Sequence, residues 1–304
     1  AIRLPNNFWL LSHGADGPPA SDVALCNACC ESISAGDRDG LERSLAALAD
    51  AACSVEFKPD EEPASPAPVV QLAGGEMAEE VVAAGPRTFQ LPGPKSVRVE
   101  EIPYSEGGLG HLVWDASIAL SIWLARNADA VRGKRTLELG SGVGLGGLSA
   151  SLAGAESVTL SEAALSDTGS EFGGTELLRV LEANTRLNGL DAATRTMEID
   201  WDDCLAEDYE PAEQFAVLVG SDLVHDEVYS MRSLVAAITK LTAFGGSAFI
   251  MNAKGRPGVD KLPEALATAG EVASEELSLV NSYGKTDLVL TTFRRGGGAA
   301  DGGE

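Results

Sequence analysis

The sequence predicts an α/β domain, a mostly parallel sheet with helices on both faces. Three observations carry that expectation. From Gly110 onward, short apolar strand-like runs alternate with longer amphipathic stretches, the pattern of strand–helix–strand units. A glycine-rich run, Gly140 to Gly147, follows directly on one of those strands and opens the next helix. The chain then closes with two strands joined through Asn281-Ser282-Tyr283-Gly284, a tight polar turn that makes them an antiparallel hairpin.

Taken in order, residues 1–57 read as an N-terminal helical segment. Asp22 is placed to cap Val23–Ile33, since its side-chain oxygen can accept a free amide of the first turn, and Leu41–Ala52 supplies a second helix. Residues 58–80 are a proline-rich acidic linker, where each residue before a proline is pushed out of the helical region. Residues 81–109 hold short β-like runs broken by Pro92-Gly93-Pro94, a β-hairpin extension. Residues 110–295 form the main domain. Its elements are helix Trp114–Asn127, strand Arg135–Leu139, helix Leu145–Leu152, strand Ser157–Leu160, helix Glu176–Asn188, and strands Arg195–Ile199 and Ala216–Val219. Helix Val228–Leu241, strand Ser247–Met251, helix Leu262–Ala269, and strands Glu276–Val280 and Asp287–Thr292 complete it. Gly296–Glu304 is a flexible low-complexity tail.

Composition narrows the function. The 304 residues include 22 Lys and Arg against 46 Asp and Glu, a formal charge of −24, with 44% hydrophobic residues. That balance argues against nucleic acid as a partner, because phosphate affinity comes from clustered Lys and Arg. No apolar run is long enough to span a membrane, and Phe8-Trp9-Leu10-Leu11 is too short for a signal-peptide core. The start at Ala1 leaves open whether a leader was removed. The five cysteines do not read as a disulfide framework. Cys26, Cys29 and Cys30 lack the second C-x-x-C pair of a metal site and fall with Ile33 on one helical face, as small buried hydrophobes. A reducing compartment, the cytoplasm, and no metal are the expectations.

The central signal is Thr136-Leu137-Glu138-Leu139-Gly140-Ser141-Gly142-Val143-Gly144-Leu145-Gly146-Gly147. Missing β-carbons at such a turn let a ligand approach the backbone. Two chemistries use this loop. Read as G-x-G-x-x-G, Gly142, Gly144 and Gly147 match a dinucleotide fingerprint. Read as acid-x-G-x-G-x-G, Glu138, Gly140, Gly142 and Gly144 match a loop that holds S-adenosylmethionine. Glu138 favours the second, since a carboxylate suits a cationic amino end and repels a pyrophosphate. Glu162, at the end of the next strand, suits either, because a carboxylate there accepts both ribose hydroxyls.

Four motifs come in one fixed order: Gly110-His111-Leu112-Val113-Trp114-Asp115-Ala116, Leu137 to Gly147, Ile199-Asp200-Trp201-Asp202, and Val219-Gly220-Ser221-Asp222-Leu223-Val224-His225. Together they resemble the seven-β-strand protein-lysine methyltransferases of methyltransferase family 16. The N-terminal segment and the run Asn184…Leu187-Asn188-Gly189-Leu190 are most similar to its elongation factor 2 branch. The resemblance implies a Rossmann-like seven-stranded methyltransferase sheet, S-adenosylmethionine as cofactor, and a protein substrate carrying a target lysine.

Carried over residue by residue, the resemblance implies that Trp114 packs on the cofactor, while Gly140, Ser141 and Gly142 line its methionine end. It further implies that Glu162 grips the ribose, Trp201 lies against the adenine, and Ser221 touches the cofactor through its backbone. Asp222 and His225 fall on the family's acid-x-x-Tyr motif and are the catalytic candidates. His225 departs from the pattern, replacing an aromatic wall by a shorter ring that titrates near neutrality. That departure keeps open a second reading, a weak or inactive methyltransferase fold acting as a binding or assembly subunit, with the N-terminal segment docking a partner. Asp222 could also simply cap the following helix.

Overall fold

The computed structural model describes residues 10–13, 85–163, 175–224, 229–281 and 284–296. Its strands are β1 (Leu10–His13), β2 (Arg87–Gln90), β3 (Ser96–Val99), β4 (Arg135–Leu139), β5 (Ser157–Glu162), β6 (Thr194–Glu198), β7 (Phe215–Ser221), β8 (Thr242–Ala253), β9 (Gly270–Asn281) and β10 (Gly284–Arg295). The helices are α1 (Tyr104–Gly107), α2 (Asp115–Arg126), α3 (Leu145–Ala153), α4 (Thr175–Leu187), α5 (Tyr229–Leu241) and α6 (Leu262–Leu266).

The main sheet runs β1-β9-β10-β8-β7-β4-β5-β6. Pairs β4–β5, β4–β7, β5–β6 and β7–β8 are parallel. Strand β10 runs antiparallel to both β8 and β9. The predicted parallel sheet with an antiparallel C-terminal hairpin is therefore present. Strand β4 lies between β5 and β7 near the middle, and its period-two alternation shows why. Leu137 and Leu139 enter the core formed with α5 and α6, while Glu138 points under α3 on the opposite face. Helices α2, α3 and α4 cover that opposite face together with Phe89, Val97 and Val99 of the small hairpin. With both faces covered, β7 reads as a nearly continuous apolar run from Phe215 to Val219.

Several elements differ from expectation. Leu10–His13, placed in a helical segment by the sequence, is an eighth strand, pairing antiparallel with the edge strand β9. Open amide and carbonyl groups along an edge are a ready template for such a short segment. The rest of the N-terminal helices, the linker to residue 80 and the tail beyond Gly296 lie outside the described residues. Strands β9 and β10 are each twelve residues long, and their register reaches from Gly284↔Asn281 to Arg295↔Gly270. Their outer halves are polar, so no apolar alternation announces them; backbone pairing with a neighbour holds them. Helix α6 stops at Leu266, three residues before the predicted end, because the chain turns into β9 at Gly270.

Strands β2 and β3 pair antiparallel as a two-stranded sheet around the Pro92-Gly93-Pro94 break. What fixes this hairpin to the main domain is the asparagine run that the sequence singled out without a role. Asn184 Oδ1 accepts the Glu100 amide at 2.8 Å, and its Nδ2 donates to the carbonyls of Glu100 and Val143 at 3.0 and 2.9 Å. One helical turn later, Asn188 Oδ1 accepts the Arg98 amide and its Nδ2 donates to the Arg98 carbonyl, at 2.8 and 2.7 Å. Four residues of helix rise about 6 Å and two of strand about 6.8 Å, so Asn184 on α4 and Asn188 just past its end stand in for a missing strand partner. Asn184 is fully buried and also braces the glycine run through Val143. Asn184→Ala is expected to destabilise the domain by about 3 kcal/mol, since it strands several buried polar groups. Urea unfolding measures it, and a loss below 1 kcal/mol would remove the clamp.

Candidate active site

At the end of β4 the chain bends sharply, with φ +54° at Gly140 and +53° at Gly142, backbone that glycine adopts without strain. A β-carbon at Gly142 would lie 3.0 Å from the Gly110 carbonyl oxygen, so the segment before α2 rests directly on the bend. At Gly140 it would lie 2.8 Å from Leu223 Cδ2 and 3.3 Å from Trp201 Cζ2. Ser141 ties the bend to β5, its amide donating to the Ser161 carbonyl and its Oγ accepting the Ser161 amide, both at 2.9 Å. Gly144 and Gly147 work differently. Their missing β-carbons make room for Leu181 Cδ2 at 2.8 Å and Leu160 Cδ2 at 2.2 Å, which is helix packing rather than ligand space.

Two carboxyl groups flank the bend. Glu138 is 1% exposed, beneath the first turn of α3, where a β-carbon on Gly146 would sit 2.3 Å from its Oε1. Burial pushes it up to about 8, against the hydrogen bonds from Gly147 and Ser141 that favour ionisation. The sequence placed Glu138 beside the cofactor's amino end; the structure puts it under the loop as a support. Glu162, at the end of β5, accepts the Gly142 amide at 2.5 Å. Burial again dominates and raises it to about 7, opposed by the amides of Gly142 and Ala163.

Across the same end of the sheet stand Trp114 and Asp222. Trp114 precedes α2, is 38% exposed, and is anchored by its indole N–H donating to the Leu109 carbonyl at 2.8 Å. That exposure removes the ordinary core explanation for a tryptophan at a helix start. Trp201 is half-buried, one ring edge against Gly140 and its body on the α5 side of the core. Ser221 ends β7 opposite Met251 of β8. Asp222 follows with φ +55°, the one positive value outside glycine among the described residues. A non-glycine residue held there is uncommon and marks a position the surroundings over-determine. Its amide donates to the Met251 carbonyl at 2.8 Å, and its Oδ1 accepts the Ala253 amide at 3.0 Å. It therefore caps the end of β8. His225 lies outside the described residues.

Sequence reasoning missed Arg256. It stands in the turn after β8, its Nη2 donating to Asp222 Oδ2 at 3.1 Å and its guanidinium 5.7 Å above the Trp114 ring. The signal was available: a single arginine in Lys254-Gly255-Arg256-Pro257-Gly258, just past a parallel strand at its carboxyl end, where α/β sheets place their sites. Bend, Glu162, Trp201, Trp114, Ser221, Asp222 and Arg256 thus gather at one end of the sheet. A cavity of about 420 Å³ lined by Met197, Asp200, Tyr209, Glu213 and Phe215 among others includes no residue of the bend. Among the described residues no cluster of His, Cys, Asp and Glu could hold a metal ion, and Cys204 is an unpaired, buried thiol.

With a glycine bend, a strand-end carboxylate and an over-determined Asp222 in this order, the comparison with known proteins becomes decisive. Residues 95–262, over half of the chain, match the family described as lysine methyltransferase. The chain belongs to that family. Among the relatives of this lysine methyltransferase domain is protein N-lysine methyltransferase METTL21A of Danio rerio. It is 34% identical over 124 residues, covering 40% of this chain and 50% of the relative. Protein-lysine N-methyltransferase EEF2KMT of Mus musculus is 29% identical over 143 residues, or 46% of this chain and 42% of that one. The chain spans half or less of the length of these curated relatives, and the similarity does not separate the family's branches. The Thermus thermophilus 16S rRNA N2 G1207 methyltransferase RsmC, solved with AdoMet and guanosine, superposes with a TM-score of 0.51. It is 16% identical over 69% of this chain and 50% of that one, a likeness of fold.

Proposed function

We propose that the protein transfers a methyl group from S-adenosylmethionine to a lysine side chain of a protein substrate. The observation that carries this reading is Asp222, held at the end of β7 by Ala253 and facing the same rim as Trp114 and the glycine bend, in a chain of the lysine methyltransferase family. Relatives at 29–34% identity named as protein-lysine methyltransferases support it. The residues present fit the cofactor: the Glu162 carboxylate suits a ribose diol, and the Trp201 ring and the Gly140 bend offer a flat apolar wall beside it. Trp114, Ser141, Gly142 and Ser221 stand at the rim to complete its contacts, while Glu138 and Gly144 hold the loop in shape.

When bound, the cofactor supplies a methyl group on a sulfonium, whose sulfur departs neutral and needs no acid. The demand therefore falls on the amine. Free lysine has a pKa near 10.4, so presenting it uncharged at pH 7 costs about 4–5 kcal/mol. Asp222 receives the ammonium and fixes the nitrogen, the proton leaves to solvent as the side chain is desolvated, and placement contributes most of the acceleration. His225 takes the position where the resembling family carries Tyr or Phe. His225→Tyr is expected to transfer methyl at least as fast as the parent; complete loss would give the imidazole a role of its own.

The charge of −24 supports a basic protein surface as partner and speaks against nucleic acid. No helix among the described residues is long and apolar enough to cross a membrane. Cytoplasmic residence and a docking role for the N-terminal segment belong to the same proposal, supported by the unpaired Cys204 and by the acidic linker. The deciding experiment incubates the protein with methyl-labelled S-adenosylmethionine and a cell extract, with Asp222→Ala alongside. A labelled protein band that disappears with the variant supports the reading; no label in any band overturns it.

A further inference from the structure

We propose that Arg256 is a positioning residue that shares Asp222 with the incoming lysine and prevents that carboxylate from locking the amine in its charged form. The inference rests on the methyl-transfer reading above. A carboxylate beside an amine favours the ammonium and raises its pKa by about one to three units. That is the wrong direction for a nucleophile. An aspartate that merely gripped the lysine would secure binding and slow the attack. In this structure both oxygens of Asp222 are already engaged by donors. Its side chain is 8% exposed, Oδ1 accepts the Ala253 amide, and Oδ2 accepts Arg256 Nη2 at 3.1 Å.

The arginine is itself fixed. Its guanidinium lies over the Trp114 ring, whose indole is tied to Leu109, and its backbone sits between Gly255 and Pro257. Its side chain is 34% exposed, so it borders the rim rather than the core. A guanidinium stays protonated across the working range and is weakly hydrated, which lets it remain at a desolvating rim. A second lone pair on each Asp222 oxygen remains for the lysine nitrogen. Carboxylate and guanidinium together present a neutral pair that still offers acceptor lone pairs. The lysine is aligned by hydrogen bonding, while the net field of the pair does little to hold its proton.

The test is the pH dependence of label transfer to the acceptor band, for the parent, Arg256→Gln and Arg256→Lys, between pH 6.5 and 10. Arg256→Gln is expected to move the rising limb up by about one unit and to lower transfer at pH 7.5 by about tenfold. Arg256→Lys, which keeps the charge, is expected to hold the parent's pH position. Calorimetry with S-adenosylhomocysteine should give affinities within about threefold across the three proteins, which also reports that each is folded. A limb unmoved by Arg256→Gln, a uniform drop at every pH, the same displacement with Lys, or an affinity loss beyond tenfold would each overturn the proposal. Failure of the underlying reading looks different: Asp222→Ala would then still transfer label.

Discussion

Asp222→Ala is expected to lose methyl transfer by at least about 100-fold while binding S-adenosylmethionine with the parent's affinity. The reason is positional. Misplacing a reacting group by an ångström can cost that much, and the Asp222 carboxylate is fixed at the rim by both a backbone amide and an arginine. Alanine also has to adopt φ +55°, which costs about 1–2 kcal/mol, so a companion variant separates catalysis from folding. Asn at this position tolerates the left-handed backbone and retains an oxygen for the Ala253 amide, yet carries no charge. Asp222→Asn should therefore melt near the parent temperature and remain nearly inactive. Transfer at the parent rate by either variant would remove Asp222 from the mechanism.

Glu162→Gln is expected to weaken cofactor binding by about 100-fold. Two charge-assisted hydrogen bonds to a ribose diol contribute about 3 kcal/mol together, and each 1.4 kcal/mol is tenfold. The pH dependence makes the role specific. Without ligand Glu162 titrates at about 7, raised from 4.5 mainly by burial. Only the ionised form accepts two hydroxyls. Affinity of the parent should be level above pH 8, bend near 7 and fall about tenfold per unit below it, whereas Glu162→Gln should show no bend there. Stability of the ligand-free protein runs the other way. A raised folded-state pKa contributes stability that is complete below the unfolded value and is lost as pH climbs through the folded one. Melting temperature without ligand should therefore decline from pH 5 to pH 8.5, through Glu162 at about 7 and Glu138 at about 8. Calorimetry and thermal melts over that range check both trends; parallel behaviour of parent and Glu162→Gln would exclude the ribose role.

Much of the strand and helix order was legible because burial imposes a period. Arg135–Leu139 was predicted with its observed bounds, since Leu137 and Leu139 alternate toward one face and a glycine run ends the strand. The outer halves of β9 and β10 were not, because residues such as Glu271, Ser274 and Glu275 hold the ladder through backbone bonds that leave no mark in side-chain pattern. Leu10–His13 was misread for a related reason: a four-residue segment with two leucines cannot tell whether an open sheet edge or a helix face will take it.

By itself the sequence determined the order of strands and helices in the main domain, the glycine bend, and the positions of Glu162, Trp201 and Asp222 along the chain. These follow from local chemistry: which residues tolerate a positive φ, which runs are apolar enough to be buried, and which types recur in a fixed order. Tertiary structure decided what each residue faces. It sent Glu138 under α3 and Glu162 to the bend, although both are carboxylates next to the same loop. It turned Asn184 and Asn188 into a substitute strand, and it brought Arg256, 34 residues away, onto Asp222. Those pairings depend on distances across the fold, which a one-dimensional pattern does not contain.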